Sequence, residues 1–310
     1  MRVIFMGTTP FSCVILEELL KIEALDVVGV VTQPDRPFGR KKVLKAPIVK
    51  EFALKAGLNV LQPKKLNQHA DAIRALEPDV IVTCAYGQIV SQEILDIPTI
   101  QSINVHASLL PQYRGGAPIH WSIIKGEQKT GVTLMEMDAG MDSGAMIAKE
   151  AVTIAHEDTM GDVEAKLMCA SRTLLQKSLM PYLKGEIAAI AQDEQAVSYA
   201  YTIQAKDEHI DFDRDVFTVY NHIRGLIPWP VSFALLDGER VKFHGVTMTE
   251  KTITEKPGTI LNVHEKGTDI ACRNGFVTIT KIQPAGKPKI APLDFMNGLG
   301  RDWKGKIFNE

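Results

Sequence analysis

Residues 1–185 alternate short, nearly all-apolar runs with longer amphipathic stretches, and this alternation constrains the fold more than any other feature of the chain. Strands buried on both faces of a sheet read as continuous apolar runs, because neither face meets water. Arg2–Met6, Val27–Thr32, Val80–Cys84 and Ile100–His106 fit that description. Pro10 is placed to open a helix over Phe11–Ile22, with Val14, Leu16, Leu19 and Leu20 as its buried stripe. Thr159–Leu183 carries apolar residues at helical spacing over a long stretch. Strand, helix and strand in turn predict an α/β domain with a mostly parallel sheet.

The pattern then changes. Residues 186–205 loosen into a linker, and residues 206–310 hold one helical segment, Asp215–Arg224, followed by short β-rich runs. These runs, Trp229–Leu236, Arg240–Thr249, Gly258–Val263, Asp269–Cys272 and Phe276–Gln283, are separated by Gly, Pro and Asp turns, as in a small OB-like β-barrel. Trp229, flanked by Pro228 and Pro230, reads as packing core of this part. A length of 310 residues suits two domains at ~100–200 residues each.

Composition excludes several classes of function. The four cysteines, Cys13, Cys84, Cys169 and Cys272, are scattered without a C-x-x-C pair, which points to reduced thiols of a cytoplasmic protein and to no metal site. The apolar run at the N-terminus is too short for a signal peptide, and no segment approaches the ~20 apolar residues of a membrane span. A net charge of −2 argues against non-specific coating of nucleic acid. One local asymmetry stands out. Between Gln33 and Pro47 lie Arg36, Arg40, Lys41, Lys42 and Lys45 against the single acid Asp35. Pro34, Pro37, Gly39 and Pro47 make regular structure unexpected there. The segment reads either as a solvated loop or as a phosphate-seeking one.

Nucleotide cofactors are disfavoured. The first strand runs into Gly7-Thr8-Thr9-Pro10-Phe11, which keeps only the first glycine of a dinucleotide turn. The second ends in Thr32-Gln33-Pro34, with no acid for a ribose. A Rossmann-like fold is compatible with either outcome, because fold does not dictate ligand.

The chemistry concentrates in Asn104-Val105-His106 and the residues that follow. Positions 104 and 106 emerge on one side of a strand, at the end where ligands of open α/β sheets sit. An amide donor beside an imidazole can hold an acyl oxygen as negative charge develops on it. The glycines of Asp138-Ala139-Gly140-Met141-Asp142-Ser143-Gly144 mark a loop able to carry Asp142 toward that imidazole. A carboxylate there would fix the histidine tautomer. On residue chemistry alone, Asn104, His106 and Asp142 make an acyl-transfer site with the donor left open, and a structural Asn-x-His and an ordinary glycine-rich turn are the plain alternatives.

Asn104-x-His106 with Ser108-Leu109-Leu110-Pro111-x-Tyr113-Arg114-Gly115, then Asp138-x-Gly140-x-Asp142-x-Gly144, resembles the signature of the folate-dependent formyltransferases. Thr32–Arg40 and Asn221–Pro230 are similar to the basic loop and to the start of the C-terminal domain in the branch that acts on methionyl-tRNA. The resemblance implies a Rossmann-like catalytic domain with an OB-like, tRNA-contacting C-terminal domain. It implies 10-formyltetrahydrofolate as a consumed co-substrate and the amino group of initiator methionyl-tRNA as acceptor. It makes Asn104, His106 and Asp142 catalytic. It places Ser108, Leu109, Leu110 and Pro111 along the folate, with Tyr86, Gly87, Gln88 and Ile89 as a wall for its pterin ring. Arg36, Arg40, Lys41, Lys42 and Lys45 would contact tRNA, and the enzyme would work as a monomer. A sister branch acting on a sugar nucleotide or small amine is the alternative. The first turn departs from the family's usual Gly-Thr-Pro-x-Phe, with Thr9 and Pro10 in its middle positions.

Overall fold

The computed structural model describes residues 1–39 and 42–309. Arg40 and Lys41 of the basic segment lie outside the described residues. The apolar runs form strands β1 (Arg2–Gly7), β2 (Asp26–Val31), β5 (Val60–Leu61), β6 (Val80–Cys84) and β7 (Gln101–His106), joined by β8 (Lys129–Glu136) and β9 (Met146–Thr153). Together they make one seven-stranded sheet in the order β5-β2-β1-β6-β7-β8-β9. The pairings from β5 through β7 are parallel, and β8 runs antiparallel to β7. Val3, Ile4, Phe5 and Met6 on β1 and Val80, Ile81 and Val82 on β6 are wholly buried, as an apolar strand covered on both faces requires.

Where irregular structure is expected between Gln33 and Pro47, the chain forms a two-stranded hairpin instead, β3 (Arg36–Phe38) against β4 (Val43–Lys45). Pro37 is compatible with this because a two-stranded ribbon is all edge, and an edge strand tolerates a missing N–H.

Helices α1 (Pro10–Leu20), α2 (Ile48–Lys55), α3 (Ala70–Arg74) and α4 (Gln92–Leu95) follow successive strands. The buried face of α1 is Phe11, Ile15, Leu16 and Leu19, whereas Leu20 is exposed and Val14 half-buried. Thr9 explains how that helix begins. It is the N-cap in extended conformation, its hydroxyl accepts from Ser12 N–H, and the Ser12 side chain returns a bond to the Thr9 N–H at 3.1 Å. The departure from the usual first turn is therefore a complete capping box, followed by proline at the first helical position.

Short helix α5 (Pro118–Ile124) precedes the long α6 (Met160–Leu183), and α7 (Val216–Arg224) and α8 (Pro292–Asn297) come later. Glu18 of α1 is buried and accepts from Lys21 (2.8 Å), Gln176 (2.9 Å) and Arg172. Burial alone would raise its pKa. The three donors outweigh that and hold the carboxylate below its ordinary range.

Strands β10 (Phe233–Leu236), β11 (Glu239–Glu250), β12 (Ile260–His264), β13 (Gly267–Cys272) and β14 (Gly275–Pro284) form an antiparallel five-stranded sheet in the order β10-β11-β14-β13-β12. Val216, Val219, Tyr220 and Ile223 of α7 pack into its core with Phe243, Ile270, Val277 and Phe308. Trp229 does not join them, being 65% exposed.

Two compact units result: Met1–Gly115 with Gly131–Val152 and Lys166–Tyr199, and Gly116–Thr130 with Thr153–Ala165 and Ala200–Glu310. The boundaries expected at 185 and 206 are contiguous in sequence, whereas these units exchange segments. Arg224 shows why Thr153–Ala165 belongs to the second. Its buried guanidinium donates to the carbonyls of Ala155 (3.2 Å) and Asp158 (2.5 Å) and to Asn221 Oδ1 (2.8 Å). A buried cation needs such partners, and α7 alone cannot supply them. Among the described residues no helix is long and apolar enough to cross a membrane.

Removing the Thr9 cap should cost stability. Thr9→Ala is expected to lose about 1 kcal/mol in urea unfolding.

Candidate functional site

Strand β7 lies between β6 and β8, and its register places Asn104 opposite Thr83 of β6 and Met135 of β8. Thr83 is the polar residue near the end of an otherwise apolar strand. Its hydroxyl donates to Asn104 Oδ1 at 2.9 Å. That bond fixes the amide orientation, so Asn104 Nδ2 faces Asp142 Oδ1 at 3.3 Å. The last residue of β7, His106, pairs with Thr133 of β8 and is buried, with Nε2 3.0 Å from the Tyr113 carbonyl. A carbonyl only accepts, so Nε2 carries a proton. Nδ1 faces Asp142 Oδ2 at 3.6 Å.

Asp142 reaches this place by a detour. Because β8 is antiparallel to β7, its last residue, Glu136, pairs with Ile103, and the following N–H, of Met137, bonds to Ser102 O at 2.8 Å. The loop therefore leaves level with the early part of β7 and must double back to meet His106. Asp142 adopts φ +50°, in the left-handed region that Asp tolerates better than most residues. Asp138 builds the turn, accepting from Gly140 N–H (3.0 Å) and from the Ser143 hydroxyl (2.7 Å). Asp142 Oδ2 accepts from Gly115 N–H at 2.9 Å. The three residues singled out by spacing thus lie together, joined by donors that sequence did not reveal: the Thr83 hydroxyl and the Gly115 amide.

Just past the site, Arg114 is buried with Nε bonded to Gln192 Oε1 (3.0 Å) and Nη2 to Glu194 Oε1 (2.8 Å). Burial works against its charge, but the bond and attraction from Glu194 outweigh that and hold the guanidinium pKa above its ordinary value.

The segment expected to lie along a folate is tightly hydrogen-bonded. Thr133 Oγ1 accepts from Leu110 N–H (3.1 Å) and donates to Ser108 O (2.7 Å), while the Ser108 hydroxyl donates to Gln112 O (2.7 Å). Leu110 is wholly buried, Leu109 and Pro111 half-buried, and Lys149 donates to the Leu110 carbonyl.

Tyr86 departs from the expected wall. Its ring packs in the core with Ile4, Met6, Ile81 and Ile94, its hydroxyl has no hydrogen-bond partner among the described residues, and burial pushes its pKa up to about 12. The Gln88 amide is committed to Leu66 N–H (2.9 Å) and Pro63 O (3.2 Å). Gly87, at φ +84°, and Ile89, 85% exposed, are the members of that stretch left facing outward. An exposed isoleucine offers an apolar face that a flat ring can cover.

In the basic hairpin, Asp35 accepts from Lys50 Nζ (2.8 Å) and Gln62 Nε2 (2.7 Å), which together hold it below the usual carboxylate range. The one acid of the segment is thus paired outside the hairpin. Arg36 donates to Gln33 Oε1 (2.9 Å), and Lys42, at φ +48°, and Lys45 are exposed beside the exposed apolar Val43 and Leu44. No metal-binding cluster of His, Cys, Asp and Glu occurs among the described residues.

Residues 1–179 match the formyl transferase family and residues 202–300 its C-terminal domain. The methionyl-tRNA formyltransferase of Bacillus subtilis is 45% identical over 300 residues, covering 96% of this chain and 94% of that protein. The same-named protein of Enterococcus faecalis is 43% identical, covering 97% of each. Among solved structures, an N-formyltransferase from Helicobacter canadensis with folinic acid and dTDP-3-aminofucose aligns at TM-score 0.69 and 20% identity, covering 91% of this chain and 98% of that one. HypX from Aquifex aeolicus with tetrahydrofolic acid aligns at TM-score 0.66 and 16% identity, covering 98% of this chain and 48% of that one.

Gly144 closes the Asp142 loop where no side chain fits, since a Cβ there would lie 2.0 Å from the Glu136 carbonyl oxygen. Gly144→Ala should lower stability by about 1–3 kcal/mol in denaturant unfolding. An unchanged midpoint would mean that the strand end yields without cost.

Proposed function

This chain belongs to the formyl transferase family, and on that premise we propose that it transfers the formyl group of 10-formyltetrahydrofolate to the amino group of initiator methionyl-tRNA. The observation that carries this reading is the 43–45% identity along essentially the whole chain, C-terminal unit included, to proteins named for that reaction. The enzyme acts as a single chain in the cytoplasm.

Bound 10-formyltetrahydrofolate supplies the formyl carbon. Ser108–Pro111 and the outward-facing Gly87 and Ile89 line its place, and the Ile89 side chain covers one face of the ring. The neutral methionyl amine attacks that carbon, a C–N bond forms, and the carbonyl oxygen gains negative charge. Asn104 Nδ2 has a second N–H beyond the one facing Asp142, and this donates to the oxygen. His106 has no idle donor, because its Nε2–H is shared with the Tyr113 carbonyl. An oxyanion is a stronger acceptor than a peptide carbonyl, so the developing charge draws that N–H away from Tyr113. Asp142 keeps the imidazole oriented and takes part in moving the amine's proton, directly or through water, toward the folate nitrogen as its bond to the formyl carbon breaks. Arg36, Arg40, Lys41, Lys42 and Lys45 attract the phosphates of the acceptor stem, and the pairing of Asp35 with Lys50 occupies the one acid of the segment.

The test is to incubate the protein with 10-formyltetrahydrofolate and charged initiator tRNA, with an amino-sugar nucleotide as competing acceptor, and to look for formylmethionine. Formylation of the sugar alone would overturn the reading. Asn104→Ala and His106→Ala are each expected to lower kcat by ~10²-fold or more with folate binding retained. Near-normal turnover would remove that residue from the assignment.

The hairpin yields a separate expectation. Replacing Arg40, Lys41 and Lys42 with alanine should flatten the dependence of log tRNA affinity on log salt by roughly one unit for each phosphate no longer neutralised. Equal slopes for wild type and variant would make the segment a solvated loop.

A further inference from the structure

Gln192 lies in the stretch that sequence marks as a linker, yet it is 9% exposed and uses both ends of its amide. Nε2 donates to the backbone carbonyls of Asp142 (2.8 Å) and Gly144 (2.8 Å), and Oε1 accepts from Arg114 Nε (3.0 Å). This orientation follows from the partners. Arginine only donates and carbonyls only accept, so the reversed amide would lose all three bonds.

We propose that Gln192 is a positioning residue for formyl transfer, holding the left-handed turn at Asp142 so that its carboxylate meets Gly115, Asn104 and His106. The inference rests on the catalytic reading of Asp142 given above. The physical argument begins with the detour of the loop. After β8 the chain leaves on the wrong side of His106 and doubles back, and Asp142 sits at φ +50°, where a non-glycine residue persists only if its surroundings hold it. The carboxylate is held by Gly115 N–H at 2.9 Å and, more weakly, by Asn104 Nδ2 at 3.3 Å, but both bonds act on the side chain and leave the main chain of the turn unfixed. The Gln192 amide fixes the backbone on either side of Ser143. Arg114 then ties that clamp to the segment that carries Gly115, its neighbour in sequence. The Gly115 bond to the side chain of Asp142 and the Gln192 bond to its main chain thereby trace back to one stretch, and the loop keeps its register with the strand end. Glu194, accepting from Arg114 Nη2 at 2.8 Å, keeps the guanidinium aligned with the glutamine.

Two variants separate positioning from packing. Gln192→Met keeps length and bulk without polar groups. Gln192→Glu keeps an acceptor for Arg114 but turns an oxygen toward two carbonyls. Each is expected to lower kcat by ~10²-fold, the cost of displacing a catalytic group by ~1 Å, with both KM values changed less than about two-fold. In an Asp142→Asn background, Gln192→Met should cost less than about two-fold more, because the interaction it supports is already gone. Wild-type kcat in both folded variants, or a full further loss in the Asp142→Asn background, would overturn the proposal. So would a kcat loss that follows the melting temperature and vanishes on cooling. Should Gln192→Met fail to fold, Gln192→Glu carries the same cycle. Wild-type protein that makes no formylmethionyl-tRNA would instead sink the functional reading itself, a result distinct from any of these.

Discussion

The 2.9 Å hydrogen bond from Gly115 N–H to Asp142 Oδ2 joins two loops that sheet topology would otherwise keep apart. One follows β7 and carries Tyr113, Arg114 and Gly115. The other follows β8, which runs the opposite way and ends opposite Ile103. An all-parallel sheet would deliver both loops to the same end without further help. Here the antiparallel step from β7 to β8 sends the second loop away from His106, and hydrogen bonds must bring it back. The Asp138 turn, the missing Cβ at Gly144 and the left-handed backbone at Asp142 are consequences of that single reversal.

Two kinds of preorganisation meet at this point. Asn104 and His106 are fixed by regular structure, since their positions follow from strand register and from Thr83 on the adjoining strand. Asp142 is fixed by loop chemistry. A carboxylate on a loop costs more to hold, because ordering each residue in an irregular segment opposes chain entropy without a ladder to repay it. The burial of Arg114 and Gln192 offsets that cost by giving the loop a rigid, fully bonded neighbour. Electrostatic catalysis gains most from groups that do not reorganise during reaction, which is how such rigidity would serve the proposed transfer.

Much of this was legible in the sequence. Asn104 and His106 announce themselves by two-residue spacing at the end of an apolar strand, and Asp142 by its glycine-flanked loop. The parallel sheet, α7 and the C-terminal strands follow from periodicity and turn residues. What escaped has a physical reason in each case. Gln192 carries no local signal, because its partners lie some fifty and eighty positions away in sequence. Tyr86 follows an apolar strand, and only three-dimensional packing decides that its ring turns inward to Ile4 and Ile94. Trp229 looks like core by composition, yet it is 65% exposed, and only three-dimensional packing decides that. The exchange of segments between units depends on Arg224 finding carbonyls at Ala155 and Asp158, a long-range match that no window of sequence reports. The hairpin at Arg36–Lys45 formed despite Pro37 because edge strands ask less of their residues than central ones do.

The basic hairpin and the Asp142 loop solve opposite problems. Around Asp142 the carboxylate, the amide of Gln192 and the guanidinium of Arg114 all have partners, so the site is ready before substrate arrives. Just before the hairpin, Asp35 is paired with Lys50 and accepts a hydrogen bond from Gln62, while Lys42 and Lys45 are exposed beside exposed Val43 and Leu44. Exposed apolar side chains next to cations are unfavourable in water unless something later covers them, and a nucleic-acid end offers both phosphates and flat base surfaces. Chemistry that must be accurate is built on the rigid sheet. The exposed Lys42 and Lys45 of the ribbon would serve the proposed recognition of a polyanion differently, since attraction between such charges acts over about a Debye length and needs no fixed geometry beforehand.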